Sequence, residues 1–145
     1  MQTIYLIRGA PGSGKTTCAE LLMKEGIAQK HFEADSFFIN RYGQYNYNRD
    51  FNEDAHNLCF LSAKQAVYAG FSVVVSNTFT KLWELEPYFK MAQELNVQVK
   101  VFHCNRSYKN VHNVPQSVVD RMKQTFEKIG RAHVWTPDTL AHLVC

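Results

Sequence analysis

The sequence predicts an α/β fold with a mainly parallel sheet, and three observations predict it. Short apolar, partly β-branched runs alternate with longer runs whose apolar residues recur at helical spacing. A glycine-rich stretch, Gly9-Ala-Pro-Gly-Ser-Gly-Lys15-Thr16, joins the first short run to the first long one. The 145 residues, 46% of them hydrophobic, suit one domain around one core. Strand–helix alternation implies parallel strands joined by right-handed crossovers, with ligands bound at their carboxyl ends.

Thr3-Ile-Tyr-Leu-Ile7 reads as a buried strand. The glycine-rich stretch after it matches a glycine, four free positions, then Gly-Lys-Thr. Gly9, Gly12 and Gly14 are expected to let the chain wrap an anion and adopt positive φ without a Cβ clash. Thr17 to Glu25 reads as a helix stopped by Gly26, aiming its first N–H groups and dipole at the same anion. Gly9, Ala10, Pro11, Gly12, Ser13, Gly14, Lys15, Thr16 and Thr17 therefore form the expected nucleoside-triphosphate site. In it Lys15 reaches the β/γ oxygens and Thr16 offers its hydroxyl to Mg²⁺.

His31-Phe-Glu-Ala34 reads as a second strand ending at Asp35, followed by the aromatic, Asn- and Arg-rich loop "FFINRYGQYNYNRDFNED". Glu53–Ala69 reads as a helix rich in small residues and stopped by Gly70, and Phe71–Val75 as the next strand. Ser76-Asn-Thr78 is expected to turn into another helix, with Pro87 in its first turn and Tyr88, Met91, Ala92 and Leu95 inward. Val97–Phe102 reads as a strand, followed by a polar loop and a last helix opened by Pro115. Gly9–Thr16, Asp35, Ser76–Thr78 and the loop after Phe102 should converge.

Ile129 onward differs in composition and carries no helical stripe. It resembles a translated sequencing adapter, since ATC-GGA-AGA-GCA-CAC-GTC-TGA-ACT-CCA spells Ile129 to Pro137 with TGA read as Trp135. The expected division is thus a nucleotide-binding domain over 1–128 and a non-native tail over 129–145.

The net charge of +3 is too mild for a dedicated nucleic-acid binder. No apolar run approaches membrane-spanning length, and the N-terminus lacks a basic region followed by an apolar stretch, so no membrane partner is expected. Cys18, Cys59, Cys104 and Cys145 are scattered without metal-ligand spacing, which suggests reduced thiols in a cytoplasmic protein. The length leaves no room for the sensor regions of ring ATPases or the lid domains of transporters.

Phosphoryl transfer needs a base for the acceptor, a metal and cations on the migrating group. Asp35, after the second strand, is the candidate base, though an Asp before "SFFIN" is also a helix cap. No apolar strand ends in a second carboxylate, which leaves Thr16, phosphate and water, with Asp35 nearby, to hold Mg²⁺. Asn77 and Thr78 either meet substrate or cap the following helix. The aromatics of the long loop either stack a base or pack the loop onto the sheet.

Taken with "VVVSNT" at 73–78 and "YKNVHNVPQSVVDRM" at 108–122, these residues resemble the P-loop kinases of the polynucleotide 5′-hydroxyl kinase type and their small AAA-domain ATP-binding relatives. The resemblance spans Met1 to about Lys128. It implies a P-loop NTPase three-layer sandwich, transfer of the ATP γ-phosphoryl to a hydroxyl, and catalytic roles for Lys15 and Asp35. It also implies lid cations, for which Arg106 and Lys109 are the candidates. Phe38 stands where the best-known members carry an acceptor-binding arginine, making Arg41 the candidate substitute, and Asn77 stands where they carry an aspartate. A polynucleotide 5′-hydroxyl end is the leading acceptor, ahead of a nucleoside, sugar or other small metabolite. The competing reading is a regulatory or partner-binding ATPase module with no acceptor. The oligomeric state is left open.

Overall fold

A computed structural model of the chain describes residues 1–104 and 134–135. In chain order it forms β1 (Thr3–Gly9), α1 (Lys15–Lys24), β2 (Lys30–Phe32), 3₁₀ helices over Ala34–Phe38 and Arg49–Phe51, and α2 (Asn52–Tyr68). Then come β3 (Val73–Asn77), α3 (Leu82–Leu95), β4 (Gln98–Cys104) and β5 (Val134–Trp135). The strands pair in the order β2-β3-β1-β4-β5, all parallel. The expected α/β architecture is present.

Alternation along β1 sets the three layers. Ile4 and Leu6 face one way and join Val73, Val75 and Val101 beneath Ala55, Ala63, Leu85, Tyr88 and Met91 of α2 and α3. Tyr5 and Ile7 face the other way and join Val74 and Phe102 beneath Ala19 and Leu22 of α1. Central strands buried on both faces need continuous apolar runs, and "IYLI" and "VVV" supply them.

Several boundaries differ from the sequence reading for identifiable reasons. β3 begins two residues later than expected and runs on through Ser76 and Asn77, because these pair in register with Ile7 and Arg8 of β1. β2 is shorter at its end, where the Asn77 side-chain oxygen accepts from the Ala34 N–H at 2.8 Å and the chain turns into the 3₁₀ helix. Pro87 lies inside α3 rather than in its first turn, since the helix already begins at Leu82. The helix predicted from Pro115 lies outside the described residues. Of the expected tail, Val134 and Trp135 are described, and they pair with Val101 and Phe102.

The aromatic loop is ordered by its own packing. Phe38 is buried and takes Tyr45 and Tyr47 edge-on, at centroid distances of 6.4 and 4.9 Å. Asn40 closes the turn by accepting from the Tyr42 and Gln44 N–H groups, and Ile39 bridges Tyr45. Tyr42 remains exposed at the tip, with Arg41 over its ring.

Candidate functional site

The glycine-rich loop connects the end of β1 to the start of α1, at the carboxyl edge of the sheet. Gly12 (φ 79°) and Gly14 (φ 96°) adopt the left-handed conformations the loop needs. Gly9 does not; it is required for another reason. A β-carbon there would stand 2.6 Å from the Cys104 carbonyl oxygen and closer still to Ser13 Oγ. Gly14 caps α1 with no side-chain hydrogen bond, and the Cys18 N–H donates to its carbonyl at 3.0 Å. The N–H groups of Lys15, Thr16 and Thr17 therefore precede the intrahelical ladder.

Lys15 folds back over this loop, its Nζ donating to the carbonyls of Gly9 (2.9 Å) and Ala10 (3.0 Å). Burial lowers its pKa, against the opposing pull of Asp35, Cys104 and Glu33. Asp35 thus lies near the Lys15 ammonium, within the first turn of the 3₁₀ helix; it does not cap that helix, whose N-cap is Glu33. Its Oδ1 accepts from the Tyr45 hydroxyl at 3.3 Å.

The connector after β3 is tied to the same place. Gly9 N–H donates to the Thr78 carbonyl at 3.2 Å. Arg8, 1% exposed, donates from Nε and Nη2 to the Phe79 carbonyl at 2.9 and 2.6 Å, and from Nη2 to that of Thr80 at 3.2 Å. These bonds hold Phe79 at φ 49°. Asn77 neither caps α3, whose N-cap is Lys81, nor turns outward: its side chain bonds Ala34 N–H and lies 3.7 Å from Cys59 Sγ. Its work here is to fix the residue before Asp35. Arg41 is exposed at the loop tip. Arg106 and Lys109 lie outside the described residues.

One cluster went unnoticed in the sequence. Ser76 Oγ, buried at the end of β3, lies 2.6 Å from His31 Nε2 and 3.3 Å from Glu33 Oε2. If the serine hydroxyl donates to the carboxylate, the imidazole must donate to the serine, which fixes the Nε2–H tautomer. Burial lowers the His31 pKa, opposed by Glu33 and Glu20. The sequence signal for it is the alternation of His31, in β2, and Glu33, the residue just beyond it.

The donor set fits a nucleotide and its metal. Converging amides, an ammonium beside the loop and the partnerless buried Ser13 Oγ form an anion cradle closed too tightly for any residue but glycine at position 9. Thr16 lies exposed in the first turn of α1. Among the described residues no three His, Cys, Asp or Glu side chains form a metal cluster.

Fold and loop together define a P-loop NTPase of the kinase-like type. The chain belongs to the AAA domain family, whose model matches residues 4–129. It is similar to NEDD4-binding protein 2 of Homo sapiens, 27% identical over 136 residues that cover 86% of this chain and 8% of the human protein. The chain therefore spans less than a tenth of that relative's length. Kti12 from Chaetomium thermophilum, solved with ADP-AlF3, superposes with a TM-score of 0.66 at 11% identity, covering 97% of this chain and 95% of that one. Mycobacterium tuberculosis APS kinase CysC, solved with AMPPNP and APS, gives 0.64 at 14% identity over 99% and 93% of the two chains. Among the described residues, no helix is long and apolar enough to cross a membrane.

Proposed function

We propose that this chain is an ATP- and Mg²⁺-dependent phosphotransferase that moves the γ-phosphoryl of ATP to a hydroxyl acceptor. The observation that carries the reading is the placement of Asp35 just after β2, hydrogen-bonded to Tyr45 and within electrostatic range of Lys15. A binding module needs the lysine; a carboxylate placed beside it and oriented by Tyr45 answers to an acceptor.

In this reading the loop amides and Lys15 Nζ bind the β- and γ-phosphates, the ammonium exchanging its bonds to Gly9 and Ala10 for phosphate oxygens. Thr16 would hold Mg²⁺ through its hydroxyl, with Asp35 the nearby carboxylate, and the metal would supply neutralisation of the phosphate charge. The Asp35 carboxylate, with Oδ1 held by Tyr45, orients the acceptor hydroxyl and takes its proton. Arg106 and Lys109 are the proposed lid cations, and Arg41 and Thr78 the proposed acceptor contacts. A 5′-hydroxyl polynucleotide end is the preferred acceptor, supported by the resemblance of the motifs and by the basic, aromatic loop tip at Arg41 and Tyr42. The proposed catalytic unit is residues 1–128 in the cytoplasm, with 129–145 a non-native tail.

The test is γ-labelled ATP offered to 5′-hydroxyl oligonucleotides, nucleosides and sugars, with wild-type chain and Asp35→Asn. Label in one acceptor class, lost in the variant while ATP still binds, supports the reading. Absence of label in every class, with a silent variant, favours a nucleotide-binding module without an acceptor.

A further inference from the structure

Two thiols lie against each other beside the phosphate loop. Cys18 Sγ is 3.3 Å from Cys104 Sγ, across 86 residues of chain. Cys18 stands three residues beyond Lys15 on α1, so the two are neighbours on the helix surface. Cys104 ends β4 in register with Gly9, and its carbonyl is the one that crowds that glycine. The pair therefore joins the helix that begins at the loop to the strand that backs it. Neither cysteine is in a disulfide.

We propose that Cys18 and Cys104 form a reversible oxidation site whose closure weakens nucleotide binding; the inference rests on the nucleotide reading above. Exposure orders the chemistry, since Cys18 is partly exposed and Cys104 is 2% exposed. A low-molecular-weight disulfide such as glutathione disulfide is the oxidant. The Cys18 thiol gives its proton to solvent, and the thiolate attacks one glutathione sulfur, breaking that S–S bond. One glutathione leaves as thiolate and takes up a proton. Cys104, deprotonated in turn, attacks the Cys18 sulfur of the mixed disulfide and expels the second glutathione. Two protein thiols are oxidised to one disulfide, and one glutathione disulfide is reduced to two thiols.

Closure has a geometric consequence. A disulfide spans about 2.05 Å, so the sulfurs, now 3.3 Å apart, must approach by roughly 1.3 Å. Part of that is side-chain rotation, and the rest draws the first turns of α1 toward β4. Gly9 pairs in register with Cys104 so closely that a β-carbon there would stand 2.6 Å from the Cys104 carbonyl oxygen. Sites of this kind tolerate displacements of only about 0.5 Å, so Lys15 and the loop amides lose their register on the phosphates.

The test compares the whole chain incubated with excess glutathione disulfide or with dithiothreitol. Disulfides are mapped by peptide mass spectrometry, and Mg-ATP is titrated calorimetrically in each state. The expected result is a Cys18–Cys104 linkage, a Kd raised by about tenfold or more, recovery with dithiothreitol, and no response in Cys18→Ser. The proposal is overturned by absence of that linkage, by linkage with an unchanged Kd, or by a Cys18→Ser chain that still responds. A reduced chain giving no heat with Mg-ATP sinks the nucleotide reading and this inference with it. Equal binding in both states sinks the inference alone.

Discussion

The Tyr45 hydroxyl reaches back to Asp35 and donates to its Oδ1 at 3.3 Å. The Ile39–Tyr45 bridge and the edge-on contact with Phe38 hold the ring in place. Burial, then the Asp35 carboxylate, push the phenol up to about 12, so it stays a donor at neutral pH. Asp35→Asn is expected to lower phosphoryl transfer by about 10²–10⁴-fold while leaving ATP affinity unchanged. Tyr45→Phe removes one orienting hydrogen bond and is expected to lower kcat by roughly 3–10-fold with the same ATP affinity. Single-turnover transfer assays beside calorimetry check both.

Gly9→Ala tests the close approach of β1 to β4. The Ser13 side chain can rotate away from a new β-carbon, but the Cys104 carbonyl, 2.6 Å away, belongs to a strand paired in register. The strands must part. Loss of about 1–3 kcal/mol in urea denaturation is expected, together with weaker Mg-ATP binding.

Arg8 pins the connector after β3 through the carbonyls of Phe79 and Thr80. Arg8→Met leaves those carbonyls short of a buried donor, with an expected cost of about 2–4 kcal/mol in urea denaturation. Arg8→Lys, which lacks the planar fork, is expected to recover only part of that stability.

Acid stability reports on two imidazoles. Burial lowers the pKa of His31 and of His103 below the usual 6.5, with Arg8 adding to the effect at His103. The unfolded chain therefore takes up protons first as pH falls. The stability these neutral rings contribute is present above 6.5 and is lost as pH drops through their lower folded values. The melting temperature is expected to fall between about pH 7 and 5, and to fall less in a His31→Asn/His103→Asn chain.

The loop motif was readable because its chemistry demands fixed residues at fixed spacing. The apolar runs of β1 and β3 were readable because buried parallel strands admit little else. What escaped depends on neighbours distant in sequence. Ser76 and Asn77 look like turn residues, yet pairing with β1 keeps them in a strand. Gly9 looks like a conformational glycine, yet contact with Cys104 requires it. Asn77 resembles a ligand or cap residue, yet it is drawn inward by the N–H of Ala34, 43 positions away. The triangle of His31, Glu33 and Ser76 exists only once β2 and β3 are paired.

The central claim is that Lys15 and the amides around it grip a triphosphate. Isothermal titration of the purified chain with Mg-ATP, beside Lys15→Glu, tests it most directly. Saturable heat from the wild-type chain, abolished by the charge reversal, is the predicted result. No heat with either Mg-ATP or Mg-GTP, or equal binding by the variant, contradicts it.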